Sequence, residues 1–271
     1  MASFDPNELG TKERHSLLLG AIAPRPIALV STVDEFGHNN LSPFSFFNIF
    51  SSNPPVVIFS AARRVRDNTT KDTLHNAMQQ KEVVINVVNY AITQQVNLSS
   101  AEYSSDVDEF VKSGLTPIAS DLVAPRRVKE SPVSLECEVR DVLHMGEEGG
   151  AGNLVMCVVK RMHIADDVLL EDGGIDQDAI DLVGRMGKAW WVRASGDALF
   201  ELAPPKLGIG VDQIPDVIRR STILTGNNLG QLGAEITLPT TEEVEAKKED
   251  FNVRRILKNY TDGIELREQL H

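Results

Sequence analysis

The chain has 271 residues, with 39 acidic and 27 basic side chains and a formal net charge of −12 at pH 7. Its hydrophobic content of 42% is ordinary for a globular protein and argues against wholesale disorder. The acidic balance weighs against a nucleic-acid-binding protein, because neutralising phosphates requires a basic face. No apolar run approaches the roughly 20 residues that a membrane-spanning helix needs, so no membrane association is expected.

The two cysteines, Cys137 and Cys157, are too few for a disulfide scaffold and form no C-x-x-C pair. Their apolar flanks predict buried, inert thiols. The histidines show no spacing with cysteines or carboxylates that is typical of a metal site, so no metal is expected. The start of the chain, MASFDPNELG, lacks the pattern of a secretory signal, and we expect a cytoplasmic protein.

Short β-rich runs bounded by turn residues recur between Pro26 and Asn89. They are PIALVST from Pro26, LSPFSFFNIF from Leu41, VVIFS from Val56 and EVVINVV from Glu82. The sequence Asp34-Glu-Phe-Gly37 predicts a hairpin turn with Gly37 at positive φ. Two longer runs, 133–145 and 153–164, predict a second hairpin across a glycine-rich connection, and a last strand is predicted near 189–193.

Helical patterns interrupt the predicted strands without alternating with them. The predicted helices are Thr70 to Gln80, Asp108 to Lys112, Asp178 to Val183 and Glu242 to Tyr260. A doubly wound fold would alternate regularly, so the sequence predicts a mainly β protein, a closed or partly closed antiparallel barrel with peripheral helices. We expect this domain to span 1–199 and a C-terminal extension, 200–271, to pack on the barrel or on a partner subunit.

A basic segment between Ser60 and Met78 stands out in this acidic chain. Four cations lie within nine residues, and Asp67 is the only acid before Asp72; the cations are Arg63, Arg64, Arg66 and Lys71. Thr69 or Thr70 is the predicted N-cap of the following helix, which would bring free backbone N–H groups to the same place. The pattern favours a phosphomonoester site, and a solvated basic turn is the alternative.

The segment from Asn40 to Pro55 mixes phenylalanines with small polar residues. The aromatic positions are Phe44, Phe46, Phe47 and Phe50, and serines lie between and beside them. Apolar faces beside hydroxyl and backbone groups suit a flat heteroaromatic ring. A barrel strand with aromatic residues in the core and serines facing water explains the same pattern.

The ordered series of motifs resembles the flavin reductase-like, FMN-binding split-barrel family. The resemblance rests on PRPIALVSTVDEFGHNNLSPFSFFNIFSSNPPVVIFS, RRVRDNTTKDTLHNA, EVVINVV, AEYSSDVDEFVKSGL, SPVSLECEV, and GRMG followed by Trp190-Trp191. It covers about residues 15–200. The resemblance implies a homodimer of Greek-key split barrels, with FMN held noncovalently near the dimer interface.

By the same resemblance, ten residues would bind the cofactor. Those bordering the isoalloxazine ring would be Asn40, Ser42, Ser45, Phe46 and Phe47, and those serving the ribityl chain and phosphate would be Ser60, Arg64, Lys71, Asp72 and Thr73. Asp72 is expected to accept N–H bonds at the helix start or to orient Lys71. His163 would line the flavin site or contact a nicotinamide, and a structural histidine is the alternative. Arg185, in the Gly-Arg-Met-Gly turn, is interpreted as structural.

The resemblance implies an FMN-dependent oxidoreductase that uses NAD(P)H as the electron donor and passes electrons to a small molecule or a protein. The cofactor would carry the chemistry, so no catalytic side chain is expected. The chain has no G-x-G-x-x-G fingerprint, and NAD(P)H must therefore bind without a Rossmann domain. An FMN-binding electron-transfer protein with little NAD(P)H activity of its own is the alternative.

Overall fold

The computed structural model describes residues 1–205, 207–250 and 253–254. The chain divides into two compact units, Met1–Phe200 and Glu201–His271. Among the described residues, every helix is too short or too polar to cross a bilayer. The packing of residues 200–271 on the barrel or on a second subunit stays a prediction.

The first unit is built mainly from β-strands. They are β1 Ala28–Val33, β2 Asn39–Phe44, β3 Phe47–Ser52, β4 Pro55–Ser60, β5 Glu82–Val87, β6 Pro117–Ile118, β7 Arg127–Val128, β8 Val133–His144, β9 Asn153–Ile164, β10 Leu182–Arg185 and β11 Trp191–Ala194. Seven strands form one antiparallel sheet in the order β2-β1-β5-β8-β9-β4-β3, and β6–β7 and β10–β11 form two small ribbons. This mainly β architecture confirms the predicted fold class.

The sheet curls until its two ends approach each other. Phe44 lies on β2 at one end of the strand order and Phe59 on β4 near the other, yet their ring centroids are 5.1 Å apart. Register shifts in β8, between Glu136 and Cys137 and between Val139 and Asp141, interrupt the ladder with β9. Bulges of this kind increase local bending and twist. The result is a barrel-like sheet around an apolar interior.

Strand β1 is buried along its whole length because it separates two cores. Ala28 and Val30 face the barrel interior with Phe59, Ile85 and the two cysteines, whereas Leu29 faces a second apolar cluster. That cluster also contains Leu41, Val88, Ile92, Val96, Phe110 and Val183. Alternation along an extended chain sends neighbouring side chains to opposite faces, so both faces must be apolar.

The predicted hairpins are present. Gly37 turns β1 into β2 at φ 84°, and β8 pairs with β9 as predicted. The single run from Leu41 to Phe50 is divided into β2 and β3 at Ser45-Phe46. The predicted helix from Asp178 to Val183 is wrong, because Leu182 and Val183 are extended and pair with β11.

Four described α-helices belong to the first unit and three to the second. They are α1 Thr11–Ala21, α2 Asp72–Gln80, α3 Thr93–Leu98, α4 Glu109–Ser113, α5 Asp216–Arg219, α6 Gly226–Gly233 and α7 Thr241–Lys248. Helix α2 buries Leu74 and Ala77 in the barrel interior. Of the helix predicted from Glu242 to Tyr260, α7 covers the first part; residues 251–252 and 255–260 lie outside the described residues.

Candidate functional site

Lys71 is the N-cap residue of α2, and its partly buried side chain reaches β2. Its Nζ lies 2.6 Å from Oγ of Ser42 and 5.1 Å from the ring centroid of Phe44. Within the described part of the chain, Lys71 forms no salt bridge with a carboxylate. Burial, followed by the nearby charge of Arg64, lowers the pKa of Lys71. The charges of Glu109 and Glu102 oppose this shift without forming a salt bridge, and a partly buried cation that lacks such a bridge favours an anionic ligand.

A cavity of about 220 Å³ opens beside Lys71. Four predicted cofactor residues line it: Ser45, Phe46, Ser60 and Lys71. His15, Leu19, Pro43, Phe44 and Ala62 complete the lining. The site therefore combines one cation, two serine hydroxyls and aromatic surface. Helix α1 supplies His15 and Leu19, which the sequence interpretation did not include.

Ser42 and Ser60 are held inside the sheet. Both are buried, with Ser42 on β2 and Ser60 at the end of β4. A Cβ at Gly152 would lie 2.8 Å from Oγ of Ser60, so the glycine-rich connection leaves room for this hydroxyl. The positions of the two serines are thus set by the strand backbone.

Asn40 and Thr73 lie in a buried polar network next to Lys71. Thr73 is completely buried, and its hydroxyl donates to Oδ1 of Asn40 at 2.6 Å. The Asn40 amide donates to Oε1 of Glu109 at 3.1 Å, and Oε2 of Glu109 accepts the N–H of Leu41. Burial raises the pKa of Glu109. The Thr73 hydroxyl thus fixes the orientation of Asn40, and its role toward the ribityl chain and phosphate stays a prediction.

Arg64 fastens the loop before α2. Its Nη1 donates to Oγ1 of Thr69 at 2.8 Å and to the carbonyl of Thr70 at 2.9 Å, and its Nε is 3.5 Å from Glu102. The predicted capping of the helix by Thr69 or Thr70 is wrong: Lys71 is at the N-cap, and no side chain caps α2. The Thr69 hydroxyl and N–H, together with Arg66, lower the pKa of Asp67 to about 2. The loop side chains are consequently engaged with one another.

Asp72 and Phe47 lie away from the Lys71 cavity. Asp72 lines a separate cavity of about 270 Å³, together with Asn40 and Glu109. No hydrogen bond to Lys71 or to the helix start is found for Asp72 in the described structure. Phe47, at the start of β3, packs against the barrel interior. The described contacts give neither residue direct access to the cavity.

His163 is bonded to a buried carboxylate. Its Nε2 is 2.5 Å from Oε1 of Glu136, which is fully buried on β8. Glu136 also accepts the N–H groups of Asp121, Leu122 and Val123. Burial alone would raise the pKa of Glu136, but the hydrogen bonds from the Asp121 N–H and His163 outweigh it and lower the pKa.

Asp121, Glu136 and His163 form a cluster, here called the Glu136 cluster. Their side-chain atoms that could coordinate a metal ion lie within 4.8 Å of one another. Arg161 pairs with Asp121 at 2.5 Å, and the oxygens of Glu136 already accept protein hydrogen bonds. These contacts make the cluster a fastening between β8 and the segment 121–123. They place His163 among structural partners, with no described hydrogen bond to the predicted cofactor residues.

Both cysteines lie in the barrel interior. Cys137 and Cys157 are fully buried and unpaired. Burial raises the pKa of the Cys137 thiol to about 12 and also raises that of Cys157. Thiols with such values are not nucleophiles at neutral pH, as the sequence interpretation expected.

Known proteins are similar to this chain in sequence and in fold. An uncharacterised protein of Halalkalibacterium halodurans is 38% identical over 185 residues, which cover 68% of this chain and 88% of that protein. An uncharacterised protein of Aquifex aeolicus is 34% identical over 183 residues, covering 68% of this chain and 91% of that protein. The crystal structure of nitrilotriacetate monooxygenase component B from Bacillus cereus matches with a TM-score of 0.70 at 31% identity, covering 74% of this chain and 98% of that one.

The family assignment follows from the match to a whole domain. The sequence model of the flavin reductase-like domain matches residues 20–177, which contain all seven strands of the main sheet and the Lys71 cavity residues from Pro43 to Lys71. The chain therefore belongs to the flavin reductase-like domain family.

Proposed function

We propose that this protein is an FMN-dependent oxidoreductase, with NAD(P)H as electron donor and a small molecule or a protein as acceptor. The proposal rests on the position of Lys71, which is partly buried beside a cavity lined by serines and phenylalanines. Among the described residues, Lys71 forms no salt bridge with a carboxylate. Family membership supports the flavin, and the cavity supplies the cation, hydroxyl groups and aromatic surface that FMN requires.

The residues fit the cofactor in a specific way. FMN, when bound, supplies reversible hydride and electron acceptance at its ring system. Lys71 holds an anionic oxygen and Ser42 fixes the direction of the ammonium group through their 2.6 Å contact. Ser45 and Ser60 offer hydroxyls at the cavity wall, and Phe46 supplies apolar surface that excludes water. These groups bind and orient, so no side-chain acid, base or nucleophile is required.

We also propose that the protein is a homodimer. Strand β3 is the last strand of the sheet, and Ile49 and Phe50 on it are 62% and 65% exposed. An exposed apolar edge strand is an aggregation hazard unless another surface covers it. β3 begins directly after Ser45-Phe46, so a partner on this strand would lie next to the Lys71 cavity.

The test is an anaerobic titration of the purified full chain reconstituted with FMN. Bleaching of the flavin absorption by NADH or NADPH at a catalytic rate is expected and gives the nucleotide preference. A protein that binds FMN but is not reduced by either nucleotide would be an electron carrier. A protein that does not retain FMN would refute the flavin assignment.

A further inference from the structure

Arg185 is an arginine that forms no salt bridge with any described carboxylate. It ends β10, its guanidinium carbon is 4.8 Å from the ring centroid of Trp191, and its Nη2 donates to the carbonyl of Lys188 at 3.0 Å. Across the described ranges of the chain, Arg185 forms no salt bridge with a carboxylate. Arg193, on the next strand, shows the contrast: it stacks on Tyr90 and also pairs with Asp181 at 2.6 Å.

A second uncompensated arginine lies beside it. Arg25 and Arg185 exchange two backbone hydrogen bonds of 2.9 Å, and Arg25 is only 6% exposed. The Arg25 guanidinium donates to the carbonyls of Leu19, Ile22 and Met186, and its buried Nε has no hydrogen-bond partner among the described residues. Carbonyl oxygens satisfy donors without neutralising charge. The two arginines therefore create a positive field in a partly desolvated place, where an anion is favoured.

Arg185 lines a cavity of about 200 Å³. Ile27, Pro43, Val96 and Trp191 contribute apolar surface, while Ser45, Asn97 and Ser100 supply polar groups. An apolar cavity of about 150 Å³ is large enough for benzene. The Arg185 cavity is therefore the right size for one aromatic ring carrying a small charged group.

The Arg185 cavity and the Lys71 cavity are neighbours. Pro43 and Ser45, at the end of β2, line both of them. A molecule in the Arg185 cavity would consequently lie against the same short backbone segment that borders the proposed cofactor site. This position is suited to a substrate and separate from the place of the phosphate-binding cation.

We propose that the Arg185 cavity binds the carboxylate of a small aromatic acid, the substrate class of this enzyme. A planar carboxylate matches the forked donors of a guanidinium, and a flat ring matches the apolar surface of Pro43, Val96 and Ile27. The role as substrate site rests on the proposed function, whereas binding of the aromatic acid does not. Arg185 would be the specificity-determining residue.

The test is calorimetric titration of the full chain with benzoate, with and without FMN. We expect benzoate to bind and its neutral analogue benzamide to bind at least tenfold more weakly. Arg185→Gln should weaken benzoate binding by about ten- to a hundredfold, because it removes a charge-assisted hydrogen-bonding pair. Asn97→Asp places a negative charge at the exposed rim without a change in size, and should also weaken benzoate binding.

Arg193→Gln is the matched control, because Arg193 is a ring-stacked arginine of the same ribbon that does not line the cavity. It should leave benzoate affinity unchanged, and thermal unfolding of all variants should show that each is folded. Equal affinity of wild type, Arg185→Gln and Asn97→Asp would overturn the proposal, as would the absence of benzoate binding at millimolar concentrations. Inorganic phosphate binding that depends on Arg185, without benzoate binding, would reassign the cavity to phosphate.

Two readouts separate this proposal from the proposed function. FMN retention, followed by flavin fluorescence, decides the cofactor assignment, and benzoate titration decides the Arg185 cavity. A chain that binds benzoate through Arg185 but does not retain FMN would support the aromatic-acid site and refute the oxidoreductase assignment. A chain that retains FMN but does not bind benzoate would support the oxidoreductase assignment and refute the aromatic-acid site.

Discussion

Replacing Lys71 with methionine should change binding and stability in opposite directions. Methionine has a similar length and is apolar, so it fills the same space beside Phe44 without a charge. A hydrogen bond to a charged group contributes about 1.5–3 kcal/mol, so Lys71→Met should weaken FMN binding roughly 10- to 150-fold. Burial and the charge of Arg64 lower the pKa of Lys71 more than the charges of Glu109 and Glu102 raise it, so the buried ammonium group costs free energy in the free protein. Its removal should therefore stabilise the protein without FMN.

We expect the free energy of unfolding of the FMN-free protein to rise by about 1 kcal/mol, which corresponds to a rise of roughly 2–4 °C in Tm for a unit of this size. Calorimetric FMN titration measures the first effect and thermal unfolding of the FMN-free protein measures the second. Lys81→Met is the control, because Lys81 ends α2 and does not line the Lys71 cavity. FMN affinity unchanged by Lys71→Met would refute the anion site. A loss of affinity with a large fall in Tm would show that Lys71 acts through folding instead.

Three further variants test other parts of the structure. Thr73→Val removes the donor to Asn40 and should destabilise the fold by about 1 kcal/mol in urea unfolding, with less effect on FMN affinity than Lys71→Met. Glu136→Gln should lower the free energy of unfolding by about 2 kcal/mol at pH 7. Because folding lowers the pKa of Glu136, the stability difference from wild type should shrink as the pH falls below about 4.5 and through the folded pKa. Ile49→Glu, on the exposed edge strand, should yield monomers in sedimentation velocity experiments, and an unchanged dimer would place the interface elsewhere.

The barrel could be predicted from sequence because its signals are local. Alternating apolar residues and a glycine at φ 84° define the β1–β2 hairpin without reference to the rest of the chain. The break between β2 and β3 at Ser45-Phe46 could not be predicted, since the residues on both sides favour strands equally well. The error at 178–183 has a similar origin: Leu182 and Val183 suit either state, and pairing with β11 decides in favour of the strand.

The site was only partly predictable because hydrogen bonds join residues that are distant in sequence. Asn40 and Glu109 are 69 positions apart, and their contact depends on how α4 is placed against β2. A buried glutamate on a five-residue helix gives no signal in the sequence. In the same way, the Gly-Arg-Met-Gly turn predicts a structural Arg185, because nothing in it reveals that a cavity opens beside this residue.

A run of basic residues in the sequence therefore does not show which of their charges are available to a ligand. The segment with Arg63, Arg64 and Arg66 predicted the anion site, yet Arg63 is bonded to Asn68, and Arg64 and Arg66 both approach Glu102. In the described structure Lys71 and Arg185 form no salt bridge with an acid. Lys71 is the N-cap residue of α2, where Thr69 or Thr70 is the predicted cap, and Arg185 is the one cation of its Gly-Arg-Met-Gly turn. Arg64 and Arg66, which approach Glu102, shape the loop, whereas a cation that forms no salt bridge and lies beside a cavity retains electrostatic free energy that ligand binding can use. Ligand sites in this family member are consequently better sought by the absence of a counter-charge than by the number of basic residues.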